Sequence, residues 1–388
     1  MEQPQGQTVR RSYLDHAASS PMLPAAMEAL LRHGRLTGNP AALHTSGRAA
    51  RAVLEDAREQ LAEAVGAHPT EVIFTSGGSE ADSIALNAGA RRPGRRGVLI
   101  GATEHHSVAD ARVRLPGVGA LSCDRDGLLD PAELSDRLGG ESALVSVMSV
   151  NNETGTIQPL DQVVEQARRV GAWVHTDAVQ ALGHVPVDFA ASGVDLMSLS
   201  GHKIGAPVGI GALLARRDLE LPPWGLGGGQ ERDVRSGTQP VMLAAAFAAA
   251  AAHAVQNLAA ESARLRLLRD RLTERVRATI TRSFLNGAPE ASPHIANFTF
   301  EGTRADDVLM LLDQAGIDCS TGAACRAGVH QPSEVLLAMG RTPEQAQASI
   351  RFSFGASTVT DDVANLISLL PDVISLARAA HSVGEVPS

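Results

Sequence analysis

Lysine is nearly absent from this chain of 388 residues: of its 34 basic residues, 33 are arginine and one, Lys203, is lysine. A guanidinium never gives up its proton in a protein, whereas an ε-amine can lose its proton and attack a carbonyl. A phosphate clamp or a salt bridge would tolerate arginine at position 203, and a Schiff base would not. Cysteine is scarce as well. Cys123, Cys319 and Cys325 form no C-x-x-C pair and no even-numbered set, so neither a disulfide scaffold nor a structural zinc site is indicated. That usage points to a reducing cytoplasm. Aromatic residues are only 3% of the chain, which fits its Ala/Arg/Gly-rich composition and carries no functional signal. A basic excess is lacking too. The net charge of −9 leaves no electrostatic footprint for direct binding to nucleic acid or to an anionic membrane.

Other absences concern segments. The first twenty residues hold no apolar h-region, so no signal peptide is read. The alanine-rich run 241–260 is broken by His253, Gln256 and Asn257 and continues into an amphipathic, arginine-rich pattern. This predicts one long, mostly buried helix that turns into a surface helix, and no membrane span. No repeat of 20–50 residues, no P-loop lysine motif and no G-x-G-x-x-G is present.

What is present is an alternation. Helical patterns such as AARAVLEDAREQLAEAVGA and LDQVVEQARRVG separate short apolar runs, EVIFTSGG, GVLIGATEHH, ALVSVMSVNN, AWVHTDA and DLMSLSGHK, each ending in polar residues. Such spacing predicts an α/β chain with a mostly parallel sheet covered on both faces. In open α/β sheets ligands bind beyond the carboxyl ends of the strands, so the polar endings should converge on one site. After residue 260 the texture changes to that of a smaller α+β unit. The expected division is a large domain at 13–260 and a small one made of 261–388 together with residues 1–12.

The strand endings carry the chemistry. Gly77, Gly78 and Ser79 lead from a strand into a helix, where small residues let backbone N–H groups approach a phosphate. The same turn also serves purely steric needs. Asp177 and Gln180 follow another strand. An acid there is usually a helix cap, but beside an irreplaceable lysine it can keep a pyridinium nitrogen protonated, as pyridoxal phosphate requires of a buried carboxylate. Adjacent His105 and His106 lack the i, i+4 spacing of a helical metal pair, and one imidazole stacked on a cofactor ring is the sharper reading. Asn151, Asn152 and Glu153 read first as a turn.

Eight motifs in order, S-G-G-S-E, E-H-H, V-N-N-E-T-G, H-T-D-A-V-Q, S-G-H-K, G-G-G-Q-E-R-D-V-R-S-G-T, S-T-G-A-A-C and S-I-R-F-S, resemble the cysteine desulfurases of the NifS/IscS type. The resemblance runs from YLDHAASSP (13–21) to RFSFG (351–355). It implies the aspartate-aminotransferase-like fold of pyridoxal-phosphate enzymes, with a seven-stranded large domain, and conversion of L-cysteine to alanine with sulfur transferred to an acceptor. By position, Lys203 would bind the cofactor covalently, Asp177 would pair with the pyridine nitrogen and Gln180 with the ring oxygen. His105 would stack on the ring with Asn152 nearby. Gly78, Ser79, Ser200 and His202 would hold the phosphate, with Thr238 reaching in from the other subunit of a homodimer. Arg351 would take the substrate carboxylate, for which its two-pronged donor suits. Cys325 would carry the persulfide, and it is the one residue open to transient iron–sulfur ligation in a protein with no resident metal. The spacing from Cys325 to QPSEVL looks like the longer-loop group associated with iron–sulfur assembly and tRNA thiolation. Ser79, Ala323 and Arg326 depart from the commoner residues, and Arg326 beside the thiol would favour its thiolate. Rival readings are an aminotransferase or selenocysteine lyase of the same fold, and a catalytically silent docking scaffold.

Overall fold

The short apolar runs become a seven-stranded sheet in the computed structural model, which describes residues 11–322 and 331–384. From one edge to the other its strands are Val72–Thr75, Gly211–Ala215, Leu196–Ser200, Trp173–Asp177, Ser142–Ser146, Gly97–Gly101 and Val118–Leu121. Gly211–Ala215 runs antiparallel to both its neighbours, and every other pairing in the sheet is parallel. Alternate residues of each strand point to opposite faces, so runs without polar interruption bury both. On one face Phe74, Val145, Val174 and Leu199 pack with helices Thr45–Ala64 and Val241–Gln256. On the other, Ile73, Ile100, Leu144 and Leu213 pack against helix Gly78–Ala90.

A second core lies around a three-stranded antiparallel sheet in the order Ser349–Ser353, Ile295–Phe300, Ser283–Asn286. Phe298, Phe300, Phe352 and Phe354 fill it together with helices Leu258–Thr279, Ala305–Gln314 and Thr360–Gly384. The amino-terminal strand Ser12–Tyr13 pairs in parallel with Ile317–Asp318, and Leu14 is buried in this second core. The chain then crosses to the large sheet, where Ser20 N–H donates to the His202 carbonyl and Leu23 N–H to that of Gly205.

One helical segment differs from expectation. The alanine-rich run does not turn smoothly into the arginine-rich pattern: helices Val241–Gln256 and Leu258–Thr279 meet at 72°. Asn257 leaves helical geometry at φ −99°, ψ 1° and its side-chain amide donates to the His253 carbonyl at 2.8 Å. The first helix ends there, with the His253 carbonyl accepting from both the backbone and the side-chain N–H of Asn257. Helix Thr360–Gly384 includes a segment, Thr360–Ser382, that is long and apolar enough to cross a membrane, with a mean hydropathy of 1.4. Here its apolar face, Val363, Leu366, Leu370, Ile374 and Ala377, is occupied by the second core.

Candidate active site

The strand carboxyl ends open into a cavity of about 850 Å³ between the two cores. Gly78, Ser79, His105, Asn152, Asp177, Gln180, Ser200, His202, Lys203 and Arg351 all line it, ten of the twelve residues singled out above. Thr238 is exposed and lies outside this lining. Cys325, with Ala323 and Arg326, falls outside the described residues.

Each wall follows from local structure. Strand Leu196–Ser200 ends at Ser200, and a tight turn, Gly201–Ile204, lifts His202 and Lys203 beyond the sheet. Gly205 closes the turn with a left-handed backbone (φ +79°), and a Cβ there would lie 2.7 Å from Leu23 Cγ. Lys203 Nζ donates to the carbonyls of Ala17 at 2.6 Å and Ala18 at 2.8 Å. Burial, with Arg351 nearby, brings its pKa down to about 8, against the pull of Asp177 and Asp15. Desolvation disfavours the ammonium and leaves an amine that is neutral often enough to act as nucleophile or base.

Asp177 ends strand Trp173–Asp177 and is buried, one carboxylate oxygen accepting the Val179 N–H at 2.8 Å. Burial raises it to about 6, while that amide and Lys203 pull the other way. A cationic group seated against it would restore full ionisation. Gln180 donates to the Ala17 carbonyl at 2.9 Å and accepts from His294 Nε2 at 3.1 Å, which leaves one of its amide hydrogens for a ligand. Asn152 Oδ1 is buried without a protein partner.

At the other end of the cavity, helix Gly78–Ala90 begins at Gly77 with no side-chain cap, so its first N–H groups are free for an anion. A Cβ on Gly78 would come within 2.7 Å of Val179 Cγ2, so the helix start can pack this close only as glycine. Ser79, Ser200 and His202 border the same end, with His202 depressed to about 4 by burial and by Lys203. An uncapped helix start, a buried carboxylate and one low-pKa amine on the same cavity are what pyridoxal phosphate needs at its phosphate, its pyridine nitrogen and its aldehyde. The residues therefore fit that cofactor.

Arg351, on strand Ser349–Ser353, donates through Nη2 to Asp15 at 2.7 Å and through Nη1 to the Asn152 carbonyl at 2.8 Å, while its Nε is buried without a partner. The substrate-binding arginine thus already has a carboxylate counter-ion, which sequence reasoning missed. Asp15 was visible in the YLDHAASSP stretch, but nothing in it pointed to a partner 336 residues away. Asn151 is the turn expected of it: its Oδ1 accepts from the N–H groups of Glu153 and Thr154, at 2.9 and 2.8 Å. Glu153 has more to do than a turn residue. It is buried and accepts from Ser333 Oγ at 2.5 Å. Also missed were Asp82 and Ser107, which stand behind His105, and Glu104, whose buried carboxyl accepts the Met148 N–H at 2.7 Å. Acids near strand ends and helix starts gave the only available signal.

Fold and site together define an enzyme that uses pyridoxal phosphate. The profile of the family described as Aminotransferase class-V matches residues 12–366. An IscS-like cysteine desulfurase from Mycobacterium tuberculosis is 49% identical over 383 residues, covering 95% of this chain and 98% of that protein. Among solved structures, the NifS-like protein from Rickettsia africae superposes with a TM-score of 0.87 at 28% identity, covering 94% of this chain and all of that one. SspA in complex with cysteine gives 0.78 at 30% identity, covering 90% of this chain and all of its own. The chain belongs to the class-V aminotransferase family, among its cysteine desulfurases.

Proposed function

We propose that this cysteine desulfurase takes sulfur from L-cysteine, releases alanine and carries the sulfur as a persulfide on Cys325 to an acceptor protein. The observation that carries the reading is Lys203, the chain's one lysine, held at a pKa of about 8 in a cavity that ends in an uncapped helix start. Bound pyridoxal phosphate supplies an electron sink that weakens bonds at the substrate's α-carbon. Lys203 would hold its aldehyde carbon, Asp177 its pyridine nitrogen and Gln180 its ring oxygen. Gly78, Ser79, Ser200 and His202 would hold its phosphate, with His105 against the ring.

The protein's own groups do the rest. Arg351 binds the substrate carboxylate with its planar fork, displacing part of its bond to Asp15. Asn152, with a free buried oxygen, accepts from the substrate side. The Lys203 amine takes the α-proton, for which a pKa near working pH is best matched. The Cys325 thiolate then attacks the substrate sulfur. One C–S bond breaks and one S–S bond forms, the proton lost from Cys325 balances the hydrogen gained at the alanine methyl, and no outside oxidant or reductant enters.

Thr238, exposed and away from this cavity, suits a role in completing the site of a second subunit, so the working unit is a homodimer. The sulfur goes to an iron–sulfur scaffold or a thiolation enzyme in the cytoplasm. The working division is a large domain at 13–260 and a small one at 261–388 with 1–12. Cys325→Ala tests the reading. It should keep borohydride-trapped cofactor on Lys203 and lose alanine production, whereas alanine formation at the wild-type rate would overturn the role of Cys325.

A further inference from the structure

We propose that Asp82 stands as a neutral carboxylic acid and, through Ser107, fixes His105 as the tautomer with its proton on Nε2, so that His105 meets the cavity as a proton donor. The argument is a count of protons. The backbone N–H of Ser107 points at His105 Nδ1 at 3.2 Å, and a backbone amide can only donate. Nδ1 is therefore an acceptor and carries no proton. The Ser107 hydroxyl lies 2.7 Å from the same Nδ1 and 2.6 Å from Asp82 Oδ2. With Nδ1 bare, the hydroxyl's single proton belongs on the bond to His105, since two lone pairs facing each other at that distance would repel. The contact with Asp82 then needs its own proton, and only the carboxyl can supply it.

The surroundings of Asp82 agree. It is 1% exposed, on the inner face of helix Gly78–Ala90. Asp177 faces it from strand Trp173–Asp177, Glu104 from the segment after Gly97–Gly101, and Ser198 from Leu196–Ser200. His175 Nε2 is 3.6 Å from Oδ1, but it is fully buried, held between Ser146 and Ser198, and pushed down to about 3, so it brings no positive charge. Among the described residues no lysine or arginine pairs with Asp82. Burial and Asp177 push its carboxyl well above the usual range, with only the hydroxyl contacts of Ser107 and Ser198 pulling the other way. Two neighbouring buried carboxyls divide one charge between them. Asp177 has the stronger claim, because its N–H bond and Lys203 favour the ion. His105 itself is held down to about 4 by the walls of the cleft and by Lys203, so its ring is neutral at working pH.

The consequence divides the proton chemistry of the site, and it rests on the reading of this cavity as the desulfurase centre. A neutral imidazole with Nδ1 tied to Ser107 and a proton on Nε2 has no free nitrogen to accept the α-proton. Lys203 is left as the base and His105 as the donor. Asp82 and Ser107 are positioning residues, acting only through His105.

Nitrogen NMR of the full chain labelled with 15N-histidine reads the tautomer directly, with His105 assigned by its loss in His105→Asn. The expected wild-type spectrum has a pyridine-type Nδ1 and a pyrrole-type Nε2 for His105, both with and without pyridoxal phosphate. Asp82→Asn should preserve it, since a carboxamide N–H donates to Ser107 as a neutral acid does, and Ser107→Ala should give a mixture of tautomers. A protonated Nδ1 in the wild type would overturn the proposal, as would loss of the tautomer in Asp82→Asn. If that variant does not fold, the wild-type spectrum decides alone. The reading is independent of turnover, so its failure is distinct from failure of the desulfurase assignment.

Discussion

Lys203 and Arg351 face the same cavity from the two cores, and one stretch of chain, residues 15–18, holds both in opposite ways. Lys203 donates to two neutral carbonyls, those of Ala17 and Ala18, and its charge is disfavoured. Arg351 donates to the carboxylate of Asp15, and its charge is compensated. At Lys203 burial and the nearby Arg351 outweigh the pull of Asp177 and Asp15 and let a proton leave, whereas a guanidinium keeps its proton in any setting. A single segment thus orients both cations, one that can shed its charge and one that cannot. The scarcity of lysine reflects the same division, with arginine wherever charge is permanent and an amine where it is not.

The largest test of that contrast is Lys203→Arg. Charge is kept and the nucleophile is lost, so borohydride trapping of the cofactor should vanish and kcat should fall by at least about 10²–10⁴-fold, the usual worth of a positioned proton-transfer group. Retention of turnover would break the comparison at its strongest point. Arg351→Lys keeps a charge and loses the fork. Hydrogen bonds to charged groups are worth about 1.5–3 kcal/mol, so KM for L-cysteine should rise about tenfold to a hundredfold. Cysteamine, which lacks the carboxylate, should react equally with both proteins, and an equal loss on cysteamine would show that Arg351 does something other than bind that group.

The pH dependence sharpens the Lys203 side. Its folded-state pKa is lowered to about 8, so the amine is protonated below that value and free above it. Covalent capture of pyridoxal phosphate by the protein without cofactor should rise about tenfold between pH 7 and 9 and then level off. A rate still climbing toward the pKa of ordinary lysine would contradict the lowered value. The smallest effect belongs to Asp15→Asn. Removing its charge withdraws one of the influences that raise Lys203, so the midpoint of capture should move to lower pH, and loss of the Arg351 pair should cost about 1–3 kcal/mol in urea unfolding. An unmoved midpoint would show that the two cations are not linked through Asp15.

The sheet could be read from the chain because its strands are apolar on both faces and stop abruptly at polar residues. Lys203, Asp177 and Ser200 each stand at or within three residues of such a stop, and the ten residues that line one cavity were named partly from these stops and partly, as with His202 and Arg351, from the family resemblance. Residues that work through a neighbour gave no such signal. Asp82 lies in SEADSIAL, where its place on the helix looks like that of any surface acid, and only the fold turns it toward Asp177 and Ser107. Asp15 finds Arg351, and His294 finds Gln180 across 114 residues, through the meeting of two cores that periodicity cannot register. The bend at Asn257 was missed because alanine and arginine both favour helix, so the composition of neither run marks a break between them.

The central claim, that sulfur leaves L-cysteine onto this chain, is tested most directly by mass spectrometry of the cofactor-loaded protein after incubation with L-cysteine, with the released amino acid measured in the same sample. The account predicts one added sulfur on the peptide containing Cys325 and an equal amount of alanine. Alanine without added sulfur on that peptide, or pyruvate in place of alanine, would contradict it.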